Sequence, residues 1–169
     1  MNKKIIVDTI LKKIILNCVV KVWPTGISPV APGTVCSILS SSIGYLININ
    51  FGSDVTLFIG IISGFIGYYS TKIYINRVNK KDPSEVVIDE FSGQMIASSA
   101  AGISPLFNII AFILFRFFDI LKPGVIGKAE NIDGALGIMM DDWLAGIFSA
   151  VILISFYILG YIDYYWVLI

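Results

Sequence analysis

Long runs of uncharged, mostly apolar residues, separated by short charged segments, organise the chain. Four runs contain no Asp, Glu, Lys or Arg: Val22–Ser53 with 32 residues, Val55–Thr71 with 17, Phe91–Phe115 with 25 and Trp143–Ile162 with 20. A helix that crosses a membrane needs about 20 mostly apolar residues. No segment alternates polar and apolar residues as a half-buried strand would. The pattern therefore predicts an all-α, compact helical membrane protein.

Three of these runs supply about three spanning helices. Trp143–Ile162 is the clearest span, because Trp and Tyr residues at its ends suit the two interfaces of a bilayer. A second span is predicted from Val55 to about Ile75, and a shorter, serine-rich span from Thr34 to Ile49. Phe91–Phe115 is broken near its middle by Gly102-Ile103-Ser104-Pro105, so this run predicts a re-entrant or shallow helical hairpin.

The segment 1–21 has a different pattern, in which five lysines and one aspartate accompany an approximately helical stripe of Ile and Leu. It predicts an amphipathic helix lying on a membrane surface, within a single domain over residues 1–169. Cationic segments prefer the cytoplasmic side. Placing the N-terminus and the segments around 72–81 and 116–128 on that side puts the C-terminus outside.

Composition supports a membrane protein and narrows its chemistry. The chain is 56% hydrophobic and 14% charged, against about a quarter charged in a soluble domain, and its mean hydropathy is +0.84. Twelve basic and twelve acidic residues cancel, which argues against a nucleic-acid partner. The absence of histidine excludes Ser-His-Asp hydrolysis, phosphohistidine chemistry and zinc sites built on imidazole.

The carboxylates suggest a site, because most of them flank the apolar runs. Asp89 and Glu90 precede one run, Asp119 follows it, and Asp141 and Asp142 precede the last one. On the predicted topology these acids meet at one cytoplasmic boundary, where a hard divalent cation such as Mg²⁺ would neutralise them. Acids before a helix are also common caps and dipole partners, although adjacent pairs exceed what one cap needs.

Two further elements carry polar groups toward the same boundary. Arg116, Asp119 and Lys122 share one face if the helix continues through them, and they form either a salt-bridge ladder or a phosphate-binding face. The glycine- and proline-rich loop before Thr34 places that residue to cap the next helix. The hydroxyls of Thr34 and Ser37 then bind phosphate, or the loop is simply a tight turn.

Four motifs in order, GISPVAPGT (26–34), IDEFSGQ (88–94), FRFFDILKP (115–123) and GIMMDDWLAG (137–146), resemble the phosphatidylglycerophosphatase A family. That family comprises Mg²⁺-dependent bacterial membrane enzymes that convert phosphatidylglycerophosphate to phosphatidylglycerol. The resemblance implies a lipid phosphatase in the bacterial cytoplasmic membrane, with its site on the cytoplasmic side. It implies three sets of residues: Mg²⁺ ligands Asp89, Glu90, Asp141 and Asp142; catalytic residues Asp119, Asp89 and Asp142; and phosphate-binding residues Arg116, Lys122, Thr34 and Ser37.

Other possibilities remain open at this point. A small membrane transporter would carry its acids inside the spans, whereas the predicted spans are free of charge. A non-catalytic membrane scaffold would not need polar motifs in this order. The nucleophile is either water or an aspartate that forms a phosphoenzyme, and the absence of an Asp-x-Asp motif favours water. The sequence does not give the oligomeric state.

Overall fold

The structure is a computed structural model that describes residues 13–159, and this part of the chain is helical with no strand. The elements in chain order are α1 over 13–20, a short 3-10 helix Thr25–Ile27, α2 Pro32–Phe51, α3 Ser53–Val78, α4 Ile88–Ser99, α5 Pro105–Leu121, α6 Val125–Glu130 and α7 Ala135–Ile158. The predicted all-α fold is confirmed. Residues 13–20 of the predicted N-terminal amphipathic helix are helical, and residues 1–12 lie outside the described part.

Helices α4 and α5 form a hairpin at the interruption that the sequence predicted. Gly102 takes a positive φ of 58° in the turn, and Pro105 begins α5, where its missing N–H leaves no helical bond unmade. The Ser104 hydroxyl caps the new helix by accepting a hydrogen bond from the Phe107 N–H at 3.4 Å. One apolar run thus becomes two antiparallel helices.

Contacts around the α4–α5 turn establish the direction in which three helices run. The Asn48 side chain, near the end of α2, donates hydrogen bonds to the carbonyls of Ser98 and Gly102 at 2.8 and 2.9 Å. The Tyr157 hydroxyl, near the end of α7, donates to the Ala101 carbonyl at 3.2 Å. Helices α2, α4 and α7 therefore start at one end, which we call the site end, and their far ends meet the α4–α5 turn.

Glycines let α4 and α7 pack backbone against backbone. A Cβ on Gly93 would lie 2.5 Å from the Asp142 carbonyl oxygen, and a Cβ on Gly146 would collide with the Gly93 carbonyl. Small residues permit this kind of close approach between helices in membrane proteins. The packing brings the start of α7 against the start of α4, where the predicted acids lie.

Two described helices, α2 with 20 residues and α7 with 24, are long and apolar enough to cross a membrane. They contain the predicted span Thr34–Ile49 and the described part of Trp143–Ile162. Helix α3 has the length, with 26 residues, but a more polar sequence, so its span stays a prediction. Large apolar side chains such as Phe58, Phe65 and Ile113 are exposed on the outside of the bundle, as a lipid-facing surface requires.

Candidate active site

A cavity of about 700 Å³ opens at the site end of the bundle. Residues near the ends of five helices, α2, α4, α5, α6 and α7, and in the adjoining loops supply its walls, and most of the predicted site residues line it. Its polar lining comprises Thr34, Lys81, Asp82, Ser84, Asp89, Glu90, Arg116, Asp119, Lys122, Glu130, Asn131, Asp141 and Asp142. The three groups of acids that the sequence predicted to meet all line this one cavity.

Three carboxylates converge on the cavity floor. Asp89 and Glu90 lie in the first turn of α4, and Asp142 lies near the start of α7. One carboxylate oxygen from each lies within 4.8 Å of the other two. This acid triad brings together residues that are more than 50 positions apart in the sequence.

The acid triad is largely buried and has an excess of negative charge. Asp89 is 8% exposed and Asp142 is 3% exposed, and none of the three acids forms an ion pair with Lys or Arg within residues 13–159. One oxygen of each, Asp89 Oδ1, Glu90 Oε2 and Asp142 Oδ1, is buried with no hydrogen-bond partner. Burial, followed by repulsion from Glu90 and the other nearby carboxylates, raises the pKa of Asp89 well above its usual range.

A divalent cation fits this arrangement. Carboxylate oxygens are the ligands that hard cations such as Mg²⁺ prefer, and unpaired buried carboxylates are costly until a positive charge joins them. Gly33 faces the triad at the start of α2, where a Cβ would collide with the Glu90 carboxylate. The absence of a side chain there leaves Glu90 room beside the other two acids.

Arg116 of α5 is held beside the triad by three oxygen atoms. Its guanidinium donates to the carboxylate of Asp119, to Thr34 Oγ1 at 3.2 Å and to Ser37 Oγ at 3.5 Å. Its Nε–H is buried without a partner. The three hydrogen bonds therefore fix the direction of the side chain, and its positive charge lies at the cavity wall.

The local structure at Thr34 differs from the prediction that it caps α2. The helix begins at Pro32, two residues earlier, after Ala31 in a left-handed conformation with φ of 45°, and no side chain caps it. Thr34 therefore lies in the first turn, where its hydroxyl accepts from Arg116. Ser37 lies one turn further in, is fully buried, donates to the Gly33 carbonyl at 2.8 Å and does not line the cavity.

Lys122 departs from the predicted shared face with Arg116 and Asp119. Helix α5 ends at Leu121, and Lys122 takes a left-handed conformation with φ of 45°. Its ammonium donates to Asp141 at 2.8 Å and to Glu130 at 2.7 Å. Partial burial opposes the charge, but these two carboxylates outweigh it and raise the pKa of Lys122 above its usual range.

Asp141 is consequently occupied by Lys122 and lies beside the acid triad rather than within it. Its other oxygen accepts the Asp142 N–H at 3.0 Å. The structure thus separates two adjacent acids that the sequence presents as equivalent: Asp142 belongs to the uncompensated triad, and Asp141 belongs to an ion pair.

Comparison with known proteins identifies the family. The sequence model described as phosphatidylglycerophosphatase A matches residues 18–157. The chain belongs to the phosphatidylglycerophosphatase A family. A Haemophilus influenzae protein named phosphatidylglycerophosphatase A is 32% identical over 78% of this chain and 82% of its own length. An Escherichia coli protein of the same name is 32% identical over 76% of this chain and 76% of its own length. A Bacteroides thetaiotaomicron protein named "Putative phosphatidylinositol-3-phosphatase" is 35% identical over 76% of this chain and 85% of its own length. No solved structure matches the chain.

Membership of the phosphatidylglycerophosphatase A family makes the chain a phosphatase and a membrane protein, as the motifs predicted. The four motifs all reach the site end of the bundle. Sequence reasoning missed the outer residues Glu130, Asn131 and Lys81, which also line the cavity. Lys81 forms an exposed ion pair with Asp133 at 2.7 Å across two loops. The signal for Lys81 was its place in the cationic segment around 72–81, which predicted topology and no role at the site.

Proposed function

We propose that this chain hydrolyses the terminal phosphomonoester of phosphatidylglycerophosphate, giving phosphatidylglycerol and phosphate, in an Mg²⁺-dependent step of phospholipid biosynthesis. The observation that carries the proposal is the largely buried acid triad, which forms no ion pair within residues 13–159 and lies beside a fixed arginine, in a chain of this family. The enzyme lies in the bacterial cytoplasmic membrane with its cavity on the cytoplasmic side, and residues 1–169 form one domain.

Asp89, Glu90 and Asp142 are the residues that would hold Mg²⁺, and Asp141 supports them from its ion pair with Lys122. When bound, Mg²⁺ supplies a Lewis acid that offsets negative charge on the phosphoryl oxygens. Asp89 and Asp142 are catalytic in this proposal because they would hold the cation that binds the reacting phosphate.

Arg116 lines the cavity, binds the phosphoryl group through its guanidinium and offsets charge that develops in the transition state. Thr34 and Ser37, predicted as direct phosphate ligands, act in this proposal by orienting the guanidinium through their hydroxyls. Lys122 lies further out and adds positive charge near the phosphate while remaining paired with Asp141 and Glu130.

Asp119 acts as the general base in this proposal. Its carboxylate lines the cavity and is paired with Arg116 through one oxygen, which fixes its direction. The other oxygen is placed to take a proton from the attacking water. A water nucleophile requires no phosphoenzyme, so labelled substrate should leave no phosphate on the protein; a trapped phospho-aspartate would reverse this assignment.

The lipid part of the substrate stays in the bilayer while its headgroup occupies the cavity. A volume of about 700 Å³ accepts more than one phosphate, which leaves room for the glycerol that carries it. The relative named for phosphatidylinositol-3-phosphate shares the phosphomonoester chemistry, so that lipid is the natural competing substrate to test.

The deciding experiment measures phosphate release by the purified full-length protein in mixed micelles. Phosphatidylglycerophosphate, phosphatidylinositol-3-phosphate and a soluble phosphomonoester are compared at equal concentration, each with Mg²⁺ and with EDTA. We expect release from phosphatidylglycerophosphate to dominate and to stop in EDTA. Full activity in EDTA would contradict the metal assignment, and a higher kcat/KM on the inositol lipid would replace the proposed substrate.

A further inference from the structure

A second cavity of about 610 Å³ lies between α1 and α3 at the same end of the bundle. It shares no lining residue with the catalytic cavity. We call it the α1–α3 groove, and its lining residues are Lys13, Ile15, Leu16, Val19, Ser70, Ile73 and Arg77. Its separate position makes it a candidate for a role other than catalysis.

The groove is lined mostly by apolar side chains, with two basic residues and one serine among them. Ser70, Ile73 and Arg77 have the spacing i, i+3, i+7, so they share one face of α3 and extend about 10 Å along its axis. Ile15 and Val19, one turn apart on α1, supply apolar surface opposite that face. Ile15 and Ile73 are 54% and 59% exposed, so the groove is open rather than filled by the protein's own core.

Its charges are of one sign. Lys13 and Arg77 are exposed, and none of the described residues that line the groove is acidic. Within residues 13–159 neither cation forms an ion pair. An occupant must therefore combine an apolar chain with a negative group, and it must be available where basic helix ends meet the membrane interface.

We infer that the α1–α3 groove binds one anionic phospholipid of the bilayer. Its phosphate lies between Lys13 and Arg77, and part of one acyl chain lies along Ile15, Val19 and Ile73. Basic pockets between helices at the cytoplasmic interface are suited to anionic headgroups, whereas a zwitterionic lipid gains less from two cations. Because the groove contains none of the proposed catalytic residues, this inference does not depend on the proposed function.

The bound lipid would also support the catalytic end mechanically. The carbonyl of Val20, at the end of α1, accepts a hydrogen bond from the Val87 N–H at 2.9 Å, immediately before α4. Val20 is fully buried and packs in the same apolar cluster as Ile88, the neighbour of Asp89. A lipid that holds α1 against α3 therefore stabilises the segment that positions the first acid of the triad.

Native mass spectrometry of the detergent-purified full-length protein measures this binding directly. The probes are dioleoyl-phosphatidylserine and dioleoyl-phosphatidylcholine, which have the same chains and are neither substrate nor product of the proposed reaction. The groove variant is Lys13→Gln with Arg77→Gln. The control variant, Lys80→Gln with Lys128→Gln, makes the same charge change at two exposed lysines outside the groove.

We expect one tight phosphatidylserine adduct on the wild type and on the control, and binding about 30-fold weaker in the groove variant, because each cation near an anionic lipid contributes about fivefold. Arg77→Gln alone should weaken binding about fivefold, which keeps the test valid if the double variant does not fold. Equal binding of phosphatidylcholine, an equal loss in the control, or wild-type affinity in Arg77→Gln would overturn the inference. A protein dimer in place of the lipid adduct would assign the groove to a second copy.

Discussion

The two ends of the helical bundle satisfy their buried polar groups in different ways. At the far end, the Asn48 amide donates to two carbonyls and its Oδ1 accepts from the Thr56 hydroxyl at 2.6 Å. At the site end, the acid triad retains three buried oxygens without partners. Unpaired buried polar groups are costly. The Asn48 side chain has a partner for each of its polar atoms, whereas the acid triad is suited to a ligand that supplies positive charge.

The unpaired atoms at the site end belong to charged side chains, and this distinguishes them from unpaired atoms elsewhere in the bundle. Gln94 Oε1 and Asn108 Oδ1, inside the bundle, are also buried without partners, but both side chains are neutral and each donates a hydrogen bond through its amide nitrogen. A buried carboxylate is far more costly than an amide oxygen. The functional end is therefore identified by the accumulation of like charge rather than by a single unpaired atom.

The largest effect is expected when one acid of the triad is neutralised. Asp89→Asn should lower the rate of phosphate release on the order of 10³-fold, because the cation loses a charged ligand. The same change should raise the free energy of unfolding of the metal-free protein, since it removes repulsion with Glu90 and Asp142. Activity assays and denaturant unfolding in EDTA check the two halves.

Asp54→Asn is the matched control for that prediction. Asp54 is exposed in the first turn of α3, at the opposite end of the bundle. Neither activity nor metal-free stability should change appreciably in this variant. A loss of metal-free stability in Asp89→Asn would show that its carboxylate is already satisfied within the protein.

A second large effect is expected at Arg116. Arg116→Lys keeps the charge but loses the planar arrangement that reaches Asp119, Thr34 and a phosphate together. We expect kcat to fall on the order of 10²-fold, with little change in Mg²⁺ dependence. Lys80→Arg exchanges the same two residue types at an exposed position outside both cavities and should retain wild-type kcat. Unchanged kcat in Arg116→Lys would remove this residue from the transition state.

The raised pKa of Asp89 gives the comparison a pH dependence. Without metal, the folded protein retains this proton to a higher pH than the unfolded chain, whose Asp pKa is about 3.9. The contribution of Asp89 to metal-free stability is therefore fully present below that value and is lost as pH rises through the folded pKa. Mg²⁺ competes with the proton, so its affinity should rise with pH in the same window, up to about tenfold per pH unit for one proton released.

Thermal unfolding at fixed Mg²⁺ concentrations and several pH values measures this effect. The Mg²⁺-induced rise in Tm should grow with pH in the wild type and much less in Asp89→Asn. A rise that is independent of pH in the wild type would mean that Asp89 is already ionised in the metal-free protein.

The far end offers the complementary test. Asn48→Ala removes three hydrogen bonds that join α2 to α3, to α4 and to the α4–α5 turn, and it should lower the free energy of unfolding by about 1–3 kcal/mol. The Mg²⁺ concentration that gives half-maximal activity should stay the same, because the acid triad is at the other end. A shift in that concentration would mean that the far-end network also positions the acids.

Local sequence signals predicted much of this arrangement. The charge-free runs predicted helices, and the break from Gly102 to Pro105 predicted the hairpin. The acids beside the runs predicted a shared site. All three depend on hydropathy and backbone chemistry within a few residues, which a single sequence displays.

The remaining details depend on where helices end and on distant partners. Lys122 left the predicted face because α5 stops one residue before it, and its partner Glu130 belongs to a later helix. That ion pair occupies Asp141, so the difference between the two adjacent acids could not be read locally. Thr34 is similar, because its partner Arg116 is 82 positions away.

The smallest predicted effect lies directly behind the triad. Trp143 follows Asp142, and its Nε1–H donates to Ser92 Oγ at 2.8 Å, which in turn donates to the Gly60 carbonyl at 2.8 Å. This contact ties α7 to α4 two residues beyond Glu90. Trp143→Phe keeps most of the ring and removes the donor, so we expect a loss of about 0.5–1.5 kcal/mol in stability and a modest rise in the Mg²⁺ concentration needed for half-maximal activity.

Ser92→Ala removes the same contact from the other side and distinguishes positioning from general loosening of the fold. If the Trp143–Ser92 bond positions the triad, the double variant should need no more Mg²⁺ than the more affected single variant, because residues in one network are not additive. Additive shifts in the Mg²⁺ requirement would mean that the two side chains act independently. In that case the spacing of the acids is set by the glycine contact between Gly93 and Gly146, where the two backbones already meet.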